Sequence, residues 1–261
     1  MQNRIYVADQ QGLYKAELAG QSEVVLAWEG EYQPGDVIVM EVAEPGYYVI
    51  RVDDCVDEAM VYMAETTLRY PVIFGEKKLA HNPKAFTGQR HYLSLRPAQA
   101  WELGYRDLAK NPADQHDVKG CYPHASANVE TRGESVFAAR NAIDGTLANR
   151  SHGNWPYSSW GINRQDDAEF TLDFGRAVDF DTIILYTRAD FPHDNWWTEA
   201  TFTFSDGTTE TVSLEKSYEP HKLSIQRKGI RWLKLGKLIK ADDPSPFPAL
   251  TQIQVLGTDA K

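Results

Sequence analysis

Cysteine is nearly missing: Cys55 and Cys121 are all the chain has, far apart and without other thiols nearby. That excludes a disulfide framework and a cysteine metal knot, and both are expected as free thiols. No run approaches the roughly 18–20 apolar residues of a membrane span, and residues 1–13 are polar where a signal peptide would carry an apolar core. The expectation is a cytoplasmic protein with no membrane insertion, extracellular only if an export signal has been removed. Excess positive charge is also lacking. Lys and Arg number 27 against 37 Asp and Glu, for a net charge of −10, so nucleic acid would have to be held against the field of the whole molecule. Gly-x-Ser-x-Gly, a Walker-type loop, His-Glu-x-x-His and Cys-x-x-Cys are all absent. Asp53-Asp54 and Asp166-Asp167 are adjacent pairs, and a glycosidase needs its carboxyls spaced across a cleft. A non-catalytic protein is expected.

Long amphipathic periodicity is missing too, and short β-type runs broken by turn residues take its place. At 261 residues the chain is long enough for two modest domains. In the first half the expected strands are 5–7, 24–28, 36–42, 47–52, 59–64 and 91–95, punctuated by Gln33-Pro34-Gly35-Asp36 and Glu44-Pro45-Gly46. Residues 97–107 are the best helical candidate. The stretch 110–117 has no apolar period and contains Pro112, which places a boundary near Asn111: residues 1–111 form an N-terminal β-sandwich of unknown role, and residues 112–261 a second sandwich. There the expected strands are 168–174, 182–187, 199–204, 210–214, 229–235 and 251–256, with Asp206-Gly207 as a hairpin turn. The fold class is therefore all-β, two jelly-roll-like sandwiches in tandem. The basic residues from Lys222 to Lys240 alternate with apolar ones, as on the solvent face of a sheet. The N-terminal aromatics, Tyr32, Tyr47, Tyr48, Tyr62, Tyr70, Phe74 and Tyr92, are expected in the core.

Two loops carry most of the chemistry. Arg188-Ala189-Asp190-Phe191-Pro192-His193-Asp194-Asn195-Trp196-Trp197 joins two strands, and the stretch from Asn149 to Trp160 combines His152, Asn154 and Trp155 in the same way. Sugars present hydroxyls on one edge and an apolar C–H face on another. Aromatics ringed by Asp, Asn, His and Arg answer both needs. Candidate ligand residues are Arg188, Asp190, His193, Asn195, Trp196, His152, Asn154 and Trp155. The expected partner is a glycan or glycoconjugate. An interaction or scaffold protein using the same aromatics, and a glycoside hydrolase assembled from distant acids, stand as alternatives. Trp160 and Trp232 are expected in the core.

In order, the second half runs Ala142-Ile143-Asp144-Gly145, Trp155 and Trp160, Leu172-Asp173-Phe174-Gly175, and a closing Gln252-Ile253-Gln254-Val255-Leu256-Gly257. This order, over about Cys121 to Gly257, resembles the discoidin-like domain, the coagulation factor five/eight C-type domain also found as family 32 carbohydrate-binding modules. The resemblance implies a galactose-binding-domain-like jelly roll with a ligand site in loops at one end. It also implies a structural calcium held by Asp144 and by carbonyls around Ala142, Thr146 and Asn149. The family's acidic ligand on the last strand falls at Gln252, which offers a neutral oxygen and lowers affinity for the ion. Without the ion, Asp144-Gly145 is an Asx-type turn.

Overall fold

In the computed structural model, which describes residues 2–189 and 193–260, the strands assemble into antiparallel sheets. The first half supplies β1 (Asn3–Ala8), β2 (Tyr14–Gly20), β3 (Val24–Glu29), β4 (Val37–Glu41), β5 (Gly46–Arg51), β6 (Ala59–Met63), β7 (Thr67–Pro71) and β8 (Arg90–Pro97). The second supplies β9 (Arg106–Asp107), β10 (Cys121–Tyr122), β11 (His124–Ala127), β12 (Trp160–Gly161), β13 (Phe170–Thr187), β14 (Trp197–Phe204), β15 (Thr209–Ser213), β16 (His221–Lys240) and β17 (Ala249–Asp259). No helix among the described residues is long and apolar enough to cross a membrane.

Two sheets share the first core. One is ordered β2-β1-β4-β7 and the other β10-β6-β5-β8-β3. Strand β3 shows why: Val24, Leu26 and Trp28 are buried while Val25, Ala27 and Glu29 face water, the period-two pattern of a strand with one wet face. Ile5, Ile38, Met40, Ile50, Tyr70 and Leu93 meet across the layers. Full burial of each such side chain contributes about 1.5–3 kcal/mol. The second core lies within a sheet ordered β12-β17-β13-β16-β14-β15, with β11 added on β13 and β9 on β17. Phe170, Phe174, Trp160, Trp197, Phe202 and Phe204 fill it.

The hairpin at Asp206-Gly207 forms as the sequence predicts. β14 pairs with β15, Gly207 has φ of 84°, and the Thr208 N–H and hydroxyl both donate to Asp206 Oδ1. Residues 97–107 do not form the expected helix. β8 runs to Pro97, the Ala98 N–H bonds the Tyr47 carbonyl, and a single 3-10 turn over Ala100–Leu103 follows, closed by a Gln99/Glu102 capping box. Trp101, which would have anchored that helix, is 79% exposed. With so few apolar positions to bury, sheet pairing wins.

Two further expectations need correction. Tyr92 is exposed, and Tyr47, Tyr62 and Phe74 are only half-buried, whereas Tyr32, Tyr48 and Tyr70 are core. Trp232 is half-buried on the sheet surface, with Lys234 Nζ 5.8 Å from its ring. Trp160 is core, its indole N–H donating to the Val129 carbonyl.

Around Asn111 the chain crosses twice between cores. Leu108 and Ala109 pack into the second, Ala113, Val118 and Cys121 into the first, and β11 returns to the second. Asn111 itself is fully buried and pins this crossing, with Nδ2 donating to the Pro123 carbonyl and Oδ1 accepting from the Ala113 N–H. Both cysteines are free thiols, Cys121 buried and Cys55 half-buried.

Candidate functional site

The loop after β13, the loop before β12, the turns at Thr131–Gly133 and Asn163-Arg164, and the proline-rich loop before β17 close on one cavity of about 110 Å³. That is well below the roughly 300–1,000 Å³ of pockets that enclose a drug-sized ligand, so the cavity takes one edge of a ring while the rest of a ligand lies outside. At its floor sit Arg188 and Asp194, 3% and 4% exposed. Arg188 Nε lies 3.0 Å from Asp194 Oδ2, and Nη2 donates to Oδ1 at 3.4 Å. Burial pushes the Asp194 carboxyl above its ordinary value and Arg188 pulls it part of the way back. His152 and His193 meet edge to face at 4.5 Å between ring centroids. Burial, Arg188 and His193 hold the His152 imidazole below its usual value, so at neutral pH it is an uncharged ring offering one donor and one acceptor.

Apolar walls come from Phe137 and Phe247. The Arg188 guanidinium lies 5.8 Å from the Phe137 ring, and Arg164 stacks over Phe247 at 4.6 Å. Pro246 and Pro248 flank Phe247 and restrict its backbone, which limits the ordering cost of a bound ligand. Among the described residues five non-glycine positions have left-handed backbone, and three of them, Arg132, Asn163 and Arg164, line this cavity. Strain of that kind, of order 1–3 kcal/mol each, persists where the surroundings hold it and gathers at functional sites. Thr131 holds the turn, its Oγ1 accepting from the Asn163 N–H.

The structure thus brings Arg188, His193 and His152 together and leaves the other candidates elsewhere. Asp190 lies outside the described residues. Asn195 is buried and serves the backbone, donating from Nδ2 to the Ala241 carbonyl and accepting the Trp196 N–H. Trp196 is half-buried beneath Lys216, whose Nζ is 5.1 Å from its ring. Asn154 is exposed. Trp155 is drawn away from the cavity: its N–H donates to the Leu79 carbonyl, and its side chain lines a separate hollow with Val56, Ala80, His81 and Asp144. Contact with the first half therefore claims the aromatic expected to serve as the platform. Phe137, Phe247, Arg132, Arg164 and Asp194, none among the candidates that the sequence marks, join Arg188, His193 and His152 in the cavity. Pro246-Phe247-Pro248, an aromatic in a stiff loop, was the signal available for the second.

The set expected for calcium does not fit the ion. Asp144 Oδ2 faces Arg140 Nη1 at 3.7 Å, and Oδ1 accepts the Thr146 N–H at 2.7 Å. The Lys110 side chain packs against Gly145 on the same side. Gln252 Oε1 accepts the Gly145 N–H, and its Nε2, a donor, has no partner among the described residues. Asn149 turns its Nδ2 to the carbonyls of Thr187 and Tyr218. Ala142 is fully buried in a 3-10 turn. A carboxylate already facing two cations and a neutral amide in place of a second acid leave a dication short of negative oxygens. Asp144-Gly145 is the Asx-type turn, closed by an internal guanidinium.

No protein-family model matches the chain, and no curated protein matches it. Solved structures with a similar arrangement include chitosan-binding module 1 from a Paenibacillus sp. IK-5 chitosanase/glucanase, 15% identical, covering 58% of this chain and 99% of that one at a TM-score of 0.40. The lectin domain of lectinolysin complexed with Lewis B antigen is 17% identical over 57% of this chain and 95% of that one, at 0.42. A Clostridium perfringens module, CpGH89CBM32-4, in complex with GlcNAc-α-1,4-galactose, is 16% identical over 61% and 97%, at 0.40. Likeness at this level does not assign a function to this chain.

Proposed function

We propose that this chain is a non-catalytic glycan-binding protein of the discoidin-like, family 32 type, whose site is the cavity floored by Arg188 and Asp194. One observation carries the reading: a buried, charged hydrogen-bonding pair opens into a cleft walled by aromatic and proline rings, next to two imidazoles. Fixed polar groups of that kind order the hydroxyls on one sugar edge, and the ring walls take its C–H face. Asp194 is tied to Arg188, which suits it to accept from hydroxyls in place of shuttling protons. Because the cleft is shallow, monovalent binding is weak and gains from multivalent display.

Display of the full chain on a glycan array tests this. Specific saccharide signals are expected, reduced about tenfold or more by Phe247→Ala, in keeping with the loss of an aromatic wall. Trp155→Ala, remote from the cleft, is expected to leave them in place. An array silent for every saccharide class, or one in which Trp155→Ala and not Phe247→Ala removes the signal, rejects the reading.

A further inference from the structure

We infer that the saccharide held in this cleft carries a carboxylate, which docks on the Arg188 guanidinium between Arg164 and Arg132; the inference rests on the glycan reading above and names its ligand class. The first observation is an unspent donor. Arg188 is 3% exposed, yet neither its Nη1 nor its Nε makes a hydrogen bond among the described residues: Nε stands 3.0 Å from Asp194 Oδ2 as an ion pair only, and Nη2 alone donates, to Asp194 Oδ1 at 3.4 Å. Buried charged donors left unmade are costly, and a planar two-oxygen acceptor completes an arginine fork better than a hydroxyl does.

The second observation is the balance of charge around the cleft. Its described lining contains Arg132, Arg164 and Arg188 against the single acid Asp194. Arg132 is gripped by Glu134, with Nη2 to Oε2 at 2.7 Å, but keeps its side chain largely in water at the rim. Arg164 forms no ion pair among the described residues, stands over Phe247 and is exposed, which leaves its guanidinium accessible to acceptors from solvent. In a chain of net charge −10, a concave spot whose described lining carries more Arg than acid runs against the field of the molecule. The apolar walls then select a carboxylate mounted on a ring over a free small anion.

Calorimetric titration of the full chain with trigalacturonate, its methyl ester, sialyllactose and lactose tests the assignment. The ester and lactose keep the sugar scaffold without the charge, and the two acids distinguish a uronate from a sialic acid as the source. At least one acid is expected to bind about tenfold or more tightly than its neutral counterpart, as a charge-assisted fork contact implies. Arg188→Gln would leave Asp194 buried beside a neutral amide, so Arg164→Gln at the exposed rim is the informative variant. It is expected to narrow the gap between acid and neutral forms. Equal or better binding of the neutral forms overturns the carboxylate and leaves glycan binding standing. Silence with all four also overturns it, and the glycan reading falls with it only where the array above is silent too.

Discussion

Residue chemistry decides what the second half can hold, and two side chains illustrate how. Asp144 reads as a cation ligand until Arg140 is seen 3.7 Å away, and no spacing in the sequence reveals that a neighbour four residues earlier turns inward to meet it. Nothing in the sequence around His81 marks it. It is 7% exposed at the junction of the halves, its Nδ1 is 3.3 Å from the Lys77 carbonyl, and Glu76, Lys77 and Arg140 share its cavity. Burial, with Arg140 adding to it, lowers its pKa to about 3. The unfolded chain then takes up a proton near pH 6.5 that the folded chain refuses, so stability is present above pH 6.5 and falls as pH drops toward 3. His116 and His124 work oppositely. Glu130 and Asp114 raise them through hydrogen bonds, and their contribution is full below pH 6.5 and lost as pH rises through the folded values. Denaturant unfolding at pH 7.5 and 5.0 is expected to show a smaller acid-side loss in His81→Gln than in the parent chain. Parallel losses in both proteins would contradict this assignment.

At the scale of elements, most strands were legible because period-two burial writes itself into the sequence, as β3 and the β14–β15 hairpin show. Misreadings came where a glycine looks like a stop and acts as a bend. Leu172-Asp173-Phe174-Gly175 reads as a strand end. In the structure Gly175, at φ of 68°, is capped by Asp173 Oδ1, the register slips between Asp173 and Val178, and β13 runs on to Thr187. Gly229 does the same inside β16, at φ of 67°. Such bulges let one long strand serve both ends of a sheet. β2 was missed because its residues lie mostly exposed on a sheet edge, without an apolar face to betray it. Gly175 also tolerates nothing larger: a Cβ there would run into the Tyr122 ring. Gly175→Ala is therefore expected to cost about 1–3 kcal/mol from overpacking, with left-handed strain adding to it. Chemical denaturation measures this directly, and an unchanged midpoint would mean that the tight approach of Tyr122 to β13 does not hold in solution.

For the molecule as a whole, the halves are joined by contacts that composition and periodicity cannot show. Arg106 and Arg176 share Asp259 at 2.7 and 2.9 Å and flank Tyr47 at 5.8 and 5.4 Å, and Ser135 bonds Glu76 through both its N–H and its hydroxyl. A further contact between the halves, from the Trp155 backbone N–H to the Leu79 carbonyl, holds Trp155 out of the expected site, whereas Arg188, His193 and His152 line one cavity at the end of the sheet. The most direct measurement is a titration of a saccharide from the array into the ¹⁵N-labelled chain, following arginine Nε–H and tryptophan indole resonances. Shifts at Arg188 and Arg164 with a still Trp155 indole are the predicted result; a moving Trp155 beside unmoved arginines would contradict the account.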